Sequence, residues 1–173
     1  MKHTTLPLTA GLLLCVSLSV TATTRYVNIN NPAPASPYTS WSSAANNIQD
    51  AVDVANPGDQ VLVADGVYQT GGRVTGDGAT NRVVVTNAVS LQSVNGAGVT
   101  IIDAGNILRC AYLTNGASLR GFTLTKGNAI DGAGVYCTST NVQLFDCQLT
   151  SNSATYGAGA YSGTLSNCTV SGN

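Results

Sequence analysis

Beyond Ala22, this chain can do chemistry only with eight aspartates, five arginines, Lys126 and seven tyrosines. Glutamate is absent and the single histidine is His3. A histidine-based triad, a zinc site of histidine ligands and a glutamate acid/base pair are thereby excluded. What remains is carboxylate chemistry, which needs several acids close together. Asp103, Asp131 and Asp146 each stand alone in their stretch of sequence. Asp131 beside Gly132, with Asp146 one strand later, is the one carboxylate pair to inspect. A Ca²⁺ ion takes about six or more oxygens, most of which two aspartates cannot supply. Asp65-Gly66 and Asp77-Gly78 read as turn pairs, and Asp103 reads as a strand end that caps a turn. No catalytic residue, cofactor-binding residue or metal ligand is assigned on this pattern, and no cofactor is expected.

The cations and aromatics leave two readings open. Arg109, Arg120 and Lys126 either line a groove for an anionic glycan or form a solvated face that discourages edge association, and their isolation favours the second. Tyr136 and Tyr161 close successive copies of one repeated phrase. They form either an aromatic strip for sugar rings or a ladder that flanks a turn or the interior. The Gly-x-Gly phrases are not a nucleotide fingerprint, since no GxGxxG follows a strand and opens a helix. After residue 22, six Lys and Arg face eight Asp, so the basic patch that nucleic acid requires is missing.

Residues 1–22 read as a secretory signal. Lys2 and His3 give a short basic start, Leu6 to Val20 is mostly apolar, and Val20-Thr21-Ala22 offers small residues for cleavage. The apolar run is short for a bilayer span, and nothing after it is apolar enough to supply one. Leu14 stands before Cys15 where lipidation wants a small residue. The mature chain is therefore expected to be exported, secreted or at the cell surface or outer membrane. Cys110, Cys137, Cys147 and Cys168 remain in it. Cys147 and Cys168 occupy equivalent repeat positions, and on adjacent parallel strands their side chains point the same way at ~4.8 Å spacing. Buried thiols that behave as small hydrophobes are favoured over disulfides.

The elements that must position these groups announce themselves by repetition. Gly132-Ala133-Gly134-Val135-Tyr136 returns as Gly157-Ala158-Gly159-Ala160-Tyr161. Phe122-Thr123-Leu124-Thr125 returns at the same offset as Cys147-Gln148-Leu149-Thr150, and then again as Cys168-Thr169-Val170-Ser171. A period in the range of roughly 20–50 residues signals a solenoid of stacked supersecondary units. The apolar runs 82–85, 89–94, 99–102, 107–113 and 119–124 are short, and Gly and Asn separate them, so they read as strands. Three strands and three turns fit a coil of roughly 20–25 residues. Stacking makes columns of Leu124, Leu149 and Val170 and of Phe122, Cys147 and Cys168, while Asn152 and Asn173 are placed at sharp bends, where asparagine tolerates positive φ and can bond the backbone or the next asparagine along the stack. Ahead of the coils lie a strand at Arg25–Ile29, a loop with Pro32, Pro34 and Pro37, and an amphipathic helix over 44–55. That helix buries Ile48, Ala51, Val52 and Ala55, and Asn56-Pro57-Gly58 stops it.

The helix followed by Gly58-Asp59-Gln60-Val61-Leu62-Val63-Ala64-Asp65-Gly66-Val67-Tyr68 resembles the amino-terminal opening of right-handed parallel β-helix proteins, the pectin-lyase-like superfamily. In that family the helix plugs the first coil. The Gly-x-Gly-[Val/Ala]-Tyr turn and the aliphatic-x-x-Asn strand end are similar to the glycine-rich and FxxN repeats of chlamydial polymorphic outer-membrane proteins and related bacterial surface β-helices. That likeness is best over residues 119–173, with Gly-Ala in place of Gly-Gly and Leu or Val in place of Phe. Resemblance to pectate and pectin lyases would imply calcium held by clustered acids and an arginine base acting on acidic polysaccharide.

The expected fold is all-β: one right-handed parallel β-helix solenoid of about five coils with a short N-terminal capping helix. The expected organisation is a signal peptide at 1–22, an N-terminal strand and Pro-rich loop at 23–43, and the capping helix plus β-helix at 44–173. Asn173 closes a repeat without a polar cap, so the chain reads as the front of a longer exported protein. The functional expectation is an adhesive, structural or glycan-binding surface β-helix whose partner is a polysaccharide or cell-surface glycan. The alternative is a polysaccharide lyase or hydrolase whose catalytic coils lie beyond residue 173.

Overall fold

The computed structural model describes residues 21–114 and 116–173. Cys15 and all but the last two residues of the expected signal lie outside the described residues. β1 (Thr24–Val27) and α1 (Ile48–Asp53) precede the coils. The first turn comprises β2 (Gln60–Val63), β3 (Gly66–Tyr68) and the hairpin β4 (Arg73–Val74) with β5 (Thr80–Val85). The second comprises β6 (Ser90–Ser93), β7 (Thr100–Asp103) and β8 (Arg109–Leu113). In the third, β9 (Ser118–Arg120), β10 (Thr123–Thr125), β11 (Asn128–Asp131) and β12 (Val135–Cys137) follow. The fourth repeats this with β13 (Gln143–Phe145), β14 (Gln148–Thr150), β15 (Ser153–Tyr156) and β16 (Ala160–Tyr161). β17 (Thr164–Ser166) and β18 (Thr169–Ser171) begin a fifth.

Like strands of successive turns pair in parallel into three long sheets. The first sheet runs β1-β2-β6-β9-β13-β17, the second β3-β7-β10-β14-β18, and the third β4-β5-β8-β12-β16, where β4 alone is antiparallel. The chain is thus a parallel β-helix of four complete turns and two strands of a fifth. Gln60, Ser90, Ser118, Gln143 and Thr164 share one position, so each turn is shorter than the one before it. The first two exceed the expected length because the first carries the hairpin and the second a loop at 94–99. The run 119–124 is two strands rather than one, because Gly121 turns it at φ +74.

Register converts the sequence repeat into columns. Val61, Leu91, Leu119, Leu144 and Leu165 lie in line along the first sheet. Tyr68, Ile102, Leu124, Leu149 and Val170 lie in line along the second. Every member is buried through the fourth turn, whereas Leu165 and Val170 are exposed at the last rung. Each buried aliphatic side chain contributes ~1.5–3 kcal/mol, and these columns are the main stabilising element. Cys110, Cys137 and Cys147 pack among them as free, buried thiols, and Cys168 is a free thiol of intermediate exposure.

The corners repeat as well. Gly121, Asp146 and Asn167 occupy the first corner, and Lys126, Ser151 and Gly172 the second, all with positive φ. The left-handed residue at the second corner therefore precedes Asn152 and Asn173 instead of being the asparagine. The buried Asn152 side chain is free to bond along the stack: its Oδ1 accepts from the Gly127 N–H at 2.8 Å, and its Nδ2 donates to Leu124 O at 3.1 Å and to Asn173 Oδ1 at 2.8 Å. At the third corner, Gly132 and Gly157 have φ +57 and +60, and a Cβ at Gly134 would overlap the Gly159 carbonyl.

The capping helix is shorter than the expected 44–55. A 3-10 turn at Trp41–Ser43 precedes it, and Asn47 caps α1 by accepting from the Asp50 N–H. Ala45 is withheld from the helix because it pairs beside β1, donating to Tyr26 O and accepting from the Asn28 N–H. Ile48, Ala51, Val52 and Ala55 are buried, as the amphipathic spacing requires.

Candidate functional site

The third sheet places one tyrosine per turn on its outer side. β8, β12 and β16 bring Tyr112, Tyr136 and Tyr161 into register, because each follows an inward Ala or Val by one position. Their rings are parallel to within 2°, with centroids 5.4 and 4.9 Å apart. Tyr136 and Tyr161 thus stack as a ladder on the outer face of the sheet and not in the interior, and Tyr112 extends it upward. Rings stacked this way turn their faces to one another and present edges and hydroxyls outward. Among the described residues none of the three hydroxyls has a hydrogen-bond partner.

Arg109 anchors one flank of the ladder. Its guanidinium lies 4.9 Å from the Tyr136 ring centre and 5.9 Å from that of Tyr112, within cation–π reach. It is 2% exposed and its donors are committed: Nη1 to Asn81 Oδ1 at 2.8 Å, Nη2 to Asp77 Oδ2 at 3.0 Å, and Nε and Nη2 to Asp131 O. Asp77 also shapes the hairpin turn, accepting from the Thr75 hydroxyl and the Ala79 N–H. Partial burial pushes its carboxyl upward, but those two bonds and Arg109 outweigh burial and hold it below the ordinary value. Burial, then the neighbouring Tyr161, Tyr112, Asp131 and Asp77, push the Tyr136 phenol upward.

Two clefts flank the hairpin. One, of about 450 Å³, is lined by Gln49, Asp53, Arg73, Val84, Tyr112 and Thr114 among others. The second, of about 460 Å³, lies between the hairpin tip Asp77–Thr80 and β11, with Ile107 and Arg109 in its walls.

The remaining candidates are dispersed. Asp103 ends β7 and accepts from the Gly105 N–H, as a strand-ending cap would, and also from Lys126 Nζ at 2.8 Å and Gln69 Nε2 at 3.0 Å. Burial raises its carboxyl, yet Lys126 and the two other donors hold it below the usual range. Asp146 sits at the first corner with Arg120 and Asn167, whereas Asp131 is in β11 past the second corner, so the fold does not bring this pair together. Among the described residues no group of three or more His, Cys, Asp or Glu could hold a metal ion. Arg109, Arg120 and Lys126 line no common groove, because each is ion-paired on a different element, with Asp77, Asp146 and Asp103 respectively. No helix of the described residues is long and apolar enough to cross a membrane.

Sequence reasoning did not single out Asn81, which fixes Arg109, or Gln49, which lines the first cleft. Asn81-Arg82 opening an apolar strand was the available signal for buried polar work. Comparison of the chain with protein-family models, curated proteins and solved structures returns no match.

Proposed function

We propose that this chain is the β-helical body of an exported surface protein that adheres to uncharged, hydroxyl-rich glycan. The observation that carries this reading is the row of three unpartnered tyrosine hydroxyls, one per turn, along the outer side of the third sheet. A repetitive polymer running along the axis would meet the same donor and acceptor at every rung. Likeness of residues 119–173 to repeats of bacterial surface β-helices supports the adhesive role, and the opening helix and strand support kinship with pectin-lyase-like proteins.

Charge argues for a neutral ligand over an acidic one. Arg25, Arg73, Arg109, Arg120 and Lys126 are each bound to an aspartate. Arg82 is buried and donates to the Gly71 and Asp103 carbonyls. Among the described residues every cation already has a carboxylate or carbonyl partner, so a uronate would have to compete with an aspartate for Arg73, Arg120 or Lys126. Biolayer interferometry against neutral and acidic polysaccharides tests this. Neutral chains bind, and Tyr136→Phe, which removes one hydroxyl and keeps the ring, weakens them by roughly 2- to 10-fold, as loss of a hydrogen bond worth about 0.5–1.5 kcal/mol predicts. Preferential binding of polygalacturonate, or release of unsaturated uronate products from it, refutes the proposal in favour of a lyase.

A further inference from the structure

We infer that the Ala22–Thr23 peptide bond is a processing site and that the fold receives the amine its hydrolysis releases. The new Thr23 ammonium pairs with the Asp59 carboxylate, so removal of the leader strengthens the first rung of the solenoid. The inference rests on the exported half of the proposed function and not on its glycan half. Sequence and geometry meet at this one bond. Val20-Thr21-Ala22 has the small residues of a cleavage site. Thr21 and Ala22 are exposed and make no hydrogen bond among the described residues. Thr23 is the first of those residues with both backbone groups held: its N–H donates to Asp59 Oδ1 at 2.8 Å, and its carbonyl accepts from the Gln60 N–H at 3.0 Å. From Thr24 onward the chain is paired with β2. In the hydrolysis one water gives its OH to the Ala22 carbonyl carbon as the C–N bond breaks, and its remaining hydrogen goes to the Thr23 nitrogen. That amine takes a further proton near neutral pH.

Asp59 keeps one side open for that cation. Its side chain is 2% exposed, and its two oxygens divide the work. Oδ2 accepts from the Asn56 N–H at 2.9 Å and from Arg25 Nη2 at 3.1 Å. Oδ1 has the Thr23 nitrogen as its sole partner among the described residues. While residues 1–22 remain attached, that nitrogen is a neutral amide with one hydrogen to donate. Released, it is a cation, and a charge-assisted bond is roughly twice as strong as a neutral one. Arg25 already balances Asp59, so the ammonium leaves the cluster with one excess positive charge. The guanidinium sits on the far oxygen, and Thr23 is partly exposed to water that solvates the excess, so attraction at hydrogen-bond distance outweighs repulsion. The gain falls on β1, which covers the outer edge of β2. Arg25 Nη1 on Pro37 O at 2.9 Å and Asp59 on Asn56 tie the same cluster to the Pro-rich loop and the helix stop.

The test exports the whole 173-residue chain into a bacterial periplasm and reads the intact mass of the product, which should be that of residues 23–173. Urea denaturation then compares this product with two forms that lack an ammonium at Thr23. One is the same chain acetylated at the Thr23 amine. The other starts at Thr21, so that its free amine stands two residues away. The free amine at Thr23 should raise the folded-to-unfolded ratio roughly 3- to 10-fold over both, the step from a neutral to a charged hydrogen bond. In Asp59→Asn the same comparison should give less than about a twofold difference. Should that variant not fold, the three native-sequence forms decide by themselves. A product that begins at another residue, equal stability of the free and blocked forms, or an advantage undiminished in Asp59→Asn would each overturn the inference. A product that keeps residues 1–22 would overturn the export reading as well, whereas glycan binding is measured separately and is untouched by any of these results.

Discussion

Gln49 occupies the place of a missing strand beside Val84. Its Oε1 accepts from the Val84 N–H at 2.7 Å and its Nε2 donates to Val84 O at 3.1 Å, both bonds buried. A second bond from Nε2 to Asp53 Oδ1 at 2.8 Å holds the amide in this orientation. The helix plug thus does two jobs: its apolar face closes the interior, and one side-chain amide satisfies Val84 in the stretch of the β5 edge that β4 leaves uncovered, a stretch that would otherwise offer pairing to another chain.

Replacing this amide should therefore be costly. Gln49→Leu keeps the bulk but strands two buried backbone groups at about 1–3 kcal/mol each. We expect a loss of about 2–5 kcal/mol in urea denaturation, together with a greater tendency to self-associate in light scattering. An unchanged midpoint would mean that water or a shifted backbone replaces the bonds.

The second-sheet column predicts a gradient along the axis. Leu124→Ala and Leu149→Ala, at fully buried positions, should cost ~2–5 kcal/mol each by denaturation. Val170→Ala, in the same column but 51% exposed, should cost well under ~1 kcal/mol. Equal costs at the three positions would contradict the register.

Thiol reactivity should divide four cysteines into three and one. Burial pushes the thiols of Cys110, Cys137 and Cys147 up to about 12. Without thiolate they are poor nucleophiles. In protein lacking residues 1–20, Ellman's reagent near neutral pH should modify Cys168 quickly and the others only as the fold opens. Fast modification of two or more thiols would show that the core is not closed.

Stability should fall at both extremes of pH. Burial raises the Asp59 carboxyl, but the Asn56 and Thr23 N–H groups and Arg25 outweigh it and leave it below the ordinary value. Asp77 and Asp103 are likewise depressed. A depressed folded value means stability that is complete above the unfolded value of about 3.9 and lost as pH falls through the folded one. Denaturation midpoints should hold down to about pH 5 and drop below about pH 4, and Asp59→Asn should flatten that drop. On the alkaline side the sign reverses. Tyr68 and the three buried thiols are raised to about 12, so stability is full below their ordinary values near 10 and 9 and declines as pH climbs toward 12. A midpoint that stays flat between pH 9 and 12 would show these groups to be ionised without cost.

What the amino-acid order determined by itself was the winding. Stacked coils place equivalent residues one above another, so repetition in sequence becomes alignment in space. From that alone followed the column Leu124, Leu149 and Val170, the thiol column below Phe122, the asparagine bonds of Asn152 and Asn173, and the alignment of Tyr136 with Tyr161, whose ring stacking the structure then showed. The glycine phrases marked their corner because positive φ and close backbone approach exclude a Cβ.

Only the tertiary structure decided what the non-repeating parts do. Ala45 left the helix because β1 needed a partner on its edge, a requirement set by a strand that lies before the Pro-rich loop. Arg109 proved to be committed, because its partners Asp77, Asn81 and Asp131 come from the first and third turns and converge on it only when the coils stack. The gap above β11 depends on the second turn being shorter at one link than the turns after it, and on a hairpin from the first turn reaching past that link. Periodicity fixes which residues share a column, whereas long-range polar contacts depend on where unequal loops land, and no local pattern encodes that.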